Sequence, residues 1–263
     1  MTDSPITVND ERAVNRPGAN TPPHANGTRP PLRATRLSVL MPIYNERRTL
    51  AEIVRRVFQS PVDLEIELIA VDDHSTDGSW ELLTELAGLE PRIRVLRHSA
   101  NRGKGAALRT GLAHAGGDVV VIQDADMEYD PANYPRLLTP ILAGEADAVF
   151  GSRFSGLHRP DIGIWNRLGN RLLTGVANRL TGLALTDMET GAKMIRADVL
   201  KRLKLTCNTF TVEPELTCRL AQIGARIREL PIEYRSRNYA AGKKIRPRDL
   251  LKALVVLLRC RFS

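Results

Sequence analysis

Asp124-Ala125-Asp126 comes directly after the apolar run at 119–122, so two carboxylates two residues apart lie where a buried strand should end. Carboxylates placed in this way can turn toward one divalent cation. Oxygen-only donors suit Mg²⁺ or Mn²⁺, which are commonly held by one or two carboxylates together with substrate phosphates. The implied ligand is a nucleotide diphosphate. The triplet is short, and solvated loop acids or helix caps produce the same string, so its meaning depends on its neighbours.

Those neighbours are set by the elements that carry them. The pattern reads as strands at 37–43, 64–71, 93–96, 119–122 and 146–150, alternating with helices at 48–58, 79–86, 103–113 and 133–142. Such alternation implies an α/β fold with right-handed crossovers and a mostly parallel sheet covered by helices on both faces. Ligands bind such sheets beyond the carboxyl ends of the strands. Each strand here ends in a polar cluster: Pro42-Ile43-Tyr44-Asn45-Glu46, Asp72-Asp73-His74-Ser75-Thr76-Asp77-Gly78-Ser79, Asn101-Arg102-Gly103-Lys104-Gly105, the stretch from Asp124 to Glu128, and Gly151-Ser152-Arg153. One cluster alone is accounted for by helix caps such as Asp77 or Ser79, or by turn glycines. Five on one rim describe a binding site.

The chain has 263 residues, 43% apolar and 26% charged, which suits a soluble protein with one main domain at 36–245. Residues 1–35, rich in Pro, Asn, Thr and Ala, are expected to form a disordered tail. Cys207, Cys218 and Cys260 lack a Cys-x-x-Cys, which disfavours a disulfide framework or zinc site and suits a reducing cytoplasm. No run approaches the roughly 20 apolar residues of a membrane span, and no signal-type segment opens the chain. Its net charge of +8 is concentrated from 225 to 263, where eleven Lys or Arg face three acids. No nucleic-acid motif accompanies that basic stretch and aromatic residues are 5%, so anionic lipid or phosphorylated ligands fit it better than nucleic acid. A solvated basic face is the plain alternative.

Residues 37 to about 260 resemble family 2 glycosyltransferases of the GT-A fold, in the branch of the dolichol-phosphate mannose and dolichyl-phosphate glucose synthases. The resemblance is carried by Met41-Pro-Ile-Tyr-Asn-Glu46, Val71-Asp-Asp-His-Ser-Thr-Asp-Gly-Ser79, Asn101-Arg-Gly-Lys-Gly-Ala-Ala107, Asp124-Ala-Asp126, Gly151-Ser-Arg-Phe154 and Thr186-Asp-Met-Glu-Thr-Gly191. Glu128 stands where the mannose synthases have glutamine, and Asn101-Arg-Gly-Lys-Gly is closer to glucosyl and general bacterial members, which leaves the sugar open between mannose and glucose. The resemblance implies inverting, metal-dependent transfer of a hexose from GDP-mannose or UDP-glucose to a polyprenyl phosphate. It assigns Pro42, Tyr44, Glu46 and Asp73 to the nucleobase and ribose, and Arg102 and Lys104 to the border of the nucleotide pocket. Asp124, Ala125 and Asp126 fall to the diphosphate, the two acids also to Mg²⁺ or Mn²⁺. Asp187, with Thr190 and Gly191, falls beside the sugar.

A phosphate acceptor changes what catalysis requires. A hydroxyl nucleophile needs a positioned base, whereas a phosphomonoester with a second pKa of about 6 is already anionic near neutrality. Cations are then the greater need, and Arg153, Arg167, Arg171, Arg237, Lys243 and Lys244 are the candidates, Arg237 to Lys244 resembling the branch's closing segment. For Arg167 and Arg171 a solvated helix face explains the residues as well. Asp126, Arg153 and Asp187 are the expected catalytic residues. Glu213 and Glu215 precede an expected helix, where pairing with its dipole is a sufficient account. His24, His98, His114 and His158 carry no readable signal.

Residues 246–263 read as a basic and apolar amphipathic helix, too short to span a bilayer and broad enough in its apolar face to lie in a membrane interface. The alternative is packing on the domain or on a second subunit. The expected location is the cytoplasm, peripheral on the cytoplasmic face of the membrane. Two rival functions remain: transfer to a hydroxyl of a glycan or small metabolite, and a non-catalytic nucleotide-sugar-binding scaffold at the membrane.

Overall fold

The computed structural model describes residues 29–156, 162–235 and 247–261. Arg237, Lys243 and Lys244 lie outside the described residues, as do Arg246 and residues 1–28 of the expected tail. The described strands are β1 (Arg36–Ile43), β2 (Glu65–Asp72), β3 (Ile93–Arg97), β4 (Val119–Ile122), β5 (Ala148–Ser152), β6 (Lys193–Arg196) and β7 (Ile227–Pro231). They form one sheet in the order β3-β2-β1-β4-β6-β5-β7. Pairing is parallel throughout, apart from β6, which runs antiparallel to β4 on one side and β5 on the other.

Strand residues point alternately to the two faces, and the apolar positions sort accordingly. Val39, Met41, Ile43, Leu68, Ala70, Val121 and Met194 belong to one core. It is closed by α1 (Arg47–Phe58), α2 (Ser79–Leu89) and α4 (Tyr134–Leu142). Leu50, Ile53, Val54 and Val57 of α1, spaced as one helical face, are all buried there. On the other face Leu40, Ile69, Val71, Val120, Ile122, Phe150 and Ile195 pack against α3 (Lys104–Leu112), α5 (Ile164–Thr181), α6 (Ala197–Leu200), α7 (Val212–Gln222) and α8 (Pro247–Arg261).

The nine expected elements are all present, with ends moved by a few residues. β5 extends to Ser152, so Gly151 and Ser152 complete the strand and Arg153 is the first residue beyond it. Glu213 and Glu215 lie inside the first turn of α7 rather than ahead of it. Residues 29–35 run along the domain, where the Leu32 amide donates to the Leu142 carbonyl at 2.9 Å and the Thr35 amide to the Asp118 carboxylate at 2.7 Å.

Candidate active site

Two loops at the carboxyl ends of β1 and β2 are laced together by short side chains. The Asn45 amide donates to Ser75 Oγ at 3.0 Å, the Glu46 amide to Ser79 Oγ at 3.0 Å and the Arg47 amide to Asp77 at 3.0 Å, while Asn45 Oδ1 accepts from the Thr76 amide at 2.8 Å. Asp77 and Ser79 thus tie loop to loop besides standing at the start of α2. Asn45, His74 and Met127 are the non-glycine residues with positive φ among those described, and all three sit on this rim. Strained backbone of this kind persists where the surroundings hold it, and it gathers at functional loops.

Asp73 is buried and fully engaged. Its carboxylate accepts from the Arg102 amide at 2.9 Å and the Gly103 amide at 2.6 Å, and it meets His98 Nδ1 at 2.7 Å. His98 Nε2 reaches Thr110 at 2.9 Å. Asp73 therefore anchors the loop that carries Arg102 and Lys104, and His98 is a structural partner whose signal in the sequence was nil. Gly103 has φ +92°, and a Cβ there would come within 2.5 Å of the Asn208 carbonyl oxygen. Tyr44 stands half-exposed at the mouth, Pro42 and Glu46 are partly buried beside it, and the Arg102 side chain is exposed.

At the end of β4 the two acids differ. Asp124 meets Lys104 Nζ at 2.7 Å, and Lys104 also meets Glu213 at 2.9 Å. Glu213 in turn pairs with Lys193, whose ammonium is capped by the Met188 carbonyl at 3.0 Å and the Thr190 carbonyl at 2.5 Å. Burial would lower the Lys104 pKa, but Asp124 and Glu213 outweigh it and hold the ammonium above the ordinary lysine value. Burial likewise favours neutral Glu213, yet Lys104 and Lys193 keep its carboxyl below the usual range. Gly191 closes over this chain: a Cβ there would overlap the Asp124 carboxylate and lie 2.9 Å from the Tyr129 ring. Asp126 accepts from the Glu128 amide at 3.2 Å. Ala125 buries its methyl in the core, and its carbonyl accepts from Thr49 Oγ1 at 2.6 Å, so its contribution is the spacing of the acids.

These two acids fit a hard divalent ion. Their donors are oxygen and the Asp124 side chain keeps 22% of its surface exposed, although no group of three or more His, Cys, Asp or Glu able to hold a metal occurs among the described residues, so substrate oxygens or water would have to complete the coordination. A pair of carboxylates completed by substrate oxygens is the arrangement typical of Mg²⁺.

Across β6, Arg153 and Asp187 form a forked pair. Nε and Nη2 each donate to the Asp187 carboxylate at 2.7 Å, and the Arg153 amide adds a third bond at 3.0 Å. Glu229 on β7 holds the same loop, accepting from the Thr186 amide at 2.8 Å, Thr186 Oγ1 at 2.7 Å and the Asp187 amide at 2.9 Å. The guanidinium lies over the Tyr234 ring at 5.4 Å and the Phe154 ring at 5.5 Å. Tyr234 packs tilted by 60° against Tyr129 with centroids 5.3 Å apart and donates to Glu128 at 2.9 Å, so Glu128 latches the chain after β7 onto the acidic loop. Burial pushes the Tyr129 phenol up to about 12. Arg167 is half-buried in the first turn of α5, and Arg171 is exposed one turn further on.

Lys193, Tyr129, Tyr234, Glu229 and Glu189 join the site without having been singled out in the sequence. A lysine opening the short strand Lys193-Met-Ile-Arg196, just ahead of two apolar residues, is the one local signal that could have been followed.

The model of the Glycosyl transferase family 2 matches residues 38–204. A dodecaprenyl-phosphate galacturonate synthase of Rhizobium johnstonii is 29% identical over 82% of the chain and 64% of its own length. A polyprenol monophosphomannose synthase of Mycolicibacterium smegmatis is 32% identical over 79% of the chain and 80% of its own length. The chain thus spans less than two thirds of the first of these relatives. A Mycobacterium tuberculosis glucosyl-3-phosphoglycerate synthase, solved with Mn²⁺, UDP and phosphoglyceric acid, superposes with a TM-score of 0.67 at 23% identity, covering 87% of this chain and 79% of that one. At that identity the likeness is one of fold, and the fold is GT-A.

Proposed function

The chain belongs to glycosyl transferase family 2, and on that premise we propose that it transfers a hexose, mannose or glucose, from a nucleotide-diphosphate sugar to a polyprenyl phosphate with inversion at the anomeric carbon. The observation that carries the reading is the juxtaposition, over β4, β6 and β5, of an acidic pair suited to metal and diphosphate with a buried arginine suited to a second phosphate. The two relatives support the acceptor: they differ in the sugar they are named for and share a polyprenyl-type phosphate.

In this reading Pro42, Tyr44, Glu46 and Arg102 line the nucleoside end, with Asp73 fixing their loop through the Arg102 and Gly103 amides. Asp124 and Asp126 would hold Mg²⁺ or Mn²⁺, which would supply Lewis-acid stabilisation of the departing diphosphate. Lys104 fixes Asp124 from the protein side. Arg153, oriented by Asp187, presents its remaining Nη1 edge to the acceptor phosphate, with Arg167, Arg237, Lys243 and Lys244 as further cations. Holding the phosphate oxygen in line with the anomeric carbon is the main work, since the nucleophile is already anionic.

The acceptor is a lipid, and the exposed faces of α5 and α8 suit a membrane interface on the cytoplasmic side. Ile164, Trp165, Leu168 and Leu172 on α5 and Leu251, Val255 and Leu258 on α8 all lie outside, while Ala253, Leu257 and Cys260 bury the opposite face of α8. No described helix is long and apolar enough to cross a membrane. The test is incubation with a panel of radiolabelled nucleotide sugars and polyprenyl phosphate, followed by lipid extraction. Label in the lipid phase from one sugar is the expected result; label retained only in water-soluble product overturns it.

A further inference from the structure

Two acids lie between α5 and β6, and only the first is matched to donors. Asp187 has the Arg153 fork, and just across from it Glu213 has Lys104 and Lys193. Glu189, between Asp187 and Lys193 in the chain, differs: its Oε1 is buried without a hydrogen-bond partner and no ion pair reaches it among the described residues, whereas Glu213 Oε1, also without a hydrogen bond, meets Lys104 at 2.9 Å. Among the described residues the charged groups that act on it most strongly are Glu213, Lys193, Arg153 and Asp187, two of each sign and already bound to one another. Among the described residues a negative charge on Glu189 therefore meets only cations already committed to Glu213 and Asp187. Burial, reinforced by Glu213, pushes its carboxyl up to about 7, so near neutrality it holds its proton for a large part of the time.

The position is informative as well. Gly191, two residues on, touches Asp124 of the acidic pair, and Asp187, two residues back, holds the arginine assigned to the acceptor. Glu189 thus stands where the sugar-bearing diphosphate and the incoming nucleophile must meet.

We propose that Glu189, partly exposed as a residue although its Oε1 is buried, acts in its acid form, donating an O–H···O hydrogen bond to the acceptor phosphomonoester beside Arg153. The proposal rests on the polyprenyl-phosphate reading given above. An ionised Glu189 would repel a phosphate dianion, whereas the neutral acid makes a short, charge-assisted bond to it. The acceptor enters as the dianion. One of its oxygens forms the new bond to the anomeric carbon as the bond from that carbon to the diphosphate breaks, the electron pair leaving with the diphosphate. The product phosphodiester carries a single charge, and Glu189 ends the turnover with the proton it began with. An acid that must be neutral works below its pKa, so acceptor turnover falls as pH rises through that value.

The test compares wild type, Glu189→Gln and Glu189→Ala in acceptor kcat/KM across a pH series, with donor affinity by calorimetry. The acceptor's own ionisation shapes the acid side of all three profiles alike, so the alkaline side is the readout. Wild type should lose acceptor kcat/KM above about pH 7. Glu189→Gln keeps a donor that does not titrate, so it should stay level there and lie within roughly threefold of wild type below it; Glu189→Ala should lose roughly ten- to a hundredfold, with donor affinity unchanged. Glutamine as inactive as alanine, with wild type rising with pH, would make Glu189 a base and overturn the proposal. Equal losses in donor affinity would make it a sugar contact, and two unaffected variants would make it structural. A wild type that transfers sugar only to a hydroxyl acceptor overturns the proposed function itself, and this inference with it.

Discussion

The two flanks of the sheet build their loops by different means. Over β1 and β2 the rim is held by neutral or backbone-directed hydrogen bonds among Asn45, Ser75, Asp77, Ser79 and Asp73, joining pairs of contiguous motifs. Over β4, β6 and β5 it is held by buried ion pairs between distant positions: Lys104 with Glu213, Lys193 with Glu213, and Arg153 with Asp187. The first arrangement spreads its hold over several bonds, so it should tolerate loss of any one. The second concentrates charge where charge must be handled, and removal of one partner leaves an uncompensated ion behind.

The comparison breaks most visibly at Glu213. Glu213→Ala strands the Lys193 ammonium and leaves Lys104 to Asp124 alone, and breaking a buried pair in this way costs about 3–5 kcal/mol. The urea midpoint should fall accordingly, and a loss below about 1 kcal/mol, the worth of an ordinary hydrogen bond, would show that the charge chain is not what holds this flank. The pH dependence sharpens the point. Glu213 is held below its usual 4.5, so its stabilisation is complete above that value and is lost as pH falls through the folded-state pKa. Acid unfolding of Glu213→Gln should lack that part of the slope.

Second in size is Asp126→Ala. Asp126 lies at a partly exposed strand end, so its removal should leave the midpoint in place and reduce transfer about a hundredfold or more, or ~2.7 kcal/mol of barrier, by loss of a metal ligand. Full turnover in EDTA, or an unaffected mutant, would sink the metal assignment.

The same contrast explains what was legible in the sequence. Contiguous motifs announced the β1 and β2 rim and the acidic pair, because short-range polar strings after apolar runs have few other meanings. β6 was not visible: four residues, one of them a lysine, give too little alternation, and nothing local says that the strand enters antiparallel between β4 and β5. Glu213 read as a helix-dipole acid, since its partners lie 109 and 20 positions away in the chain. Arg153 and Asp187 were each expected in the site, but that one would spend its fork on the other is a fact of tertiary structure alone. His98, three residues ahead of the Asn101–Gly105 cluster but outside it, could be understood only once Asp73 was seen beside it.

Arg153→Lys comes next. Lysine keeps the charge and gives up the planar fork, so it cannot bind Asp187 through two parallel bonds and still face a ligand. Acceptor kcat/KM should drop roughly tenfold with donor affinity unchanged. Equal losses in both would move Arg153 from the acceptor to the diphosphate and shift the boundary between the two flanks.

The smallest effect belongs to Asn45, and it separates two contributions that coincide there. Its φ of 57° is left-handed, a region asparagine tolerates better than alanine, and its Oδ1 holds the Thr76 amide. Asn45→Gly keeps the backbone conformation accessible and removes the side-chain bond, so it should cost about 0.5–1.5 kcal/mol. Asn45→Ala removes the same bond and adds a left-handed alanine, for about 1 kcal/mol more. Donor affinity should fall only modestly in both, since Ser75 and Asp77 still tie the two loops together. If glycine and alanine destabilise equally, backbone strain contributes nothing at this rim. If either costs as much as Glu213→Ala, the hydrogen-bonded flank is as brittle as the charged one, and the contrast between them fails.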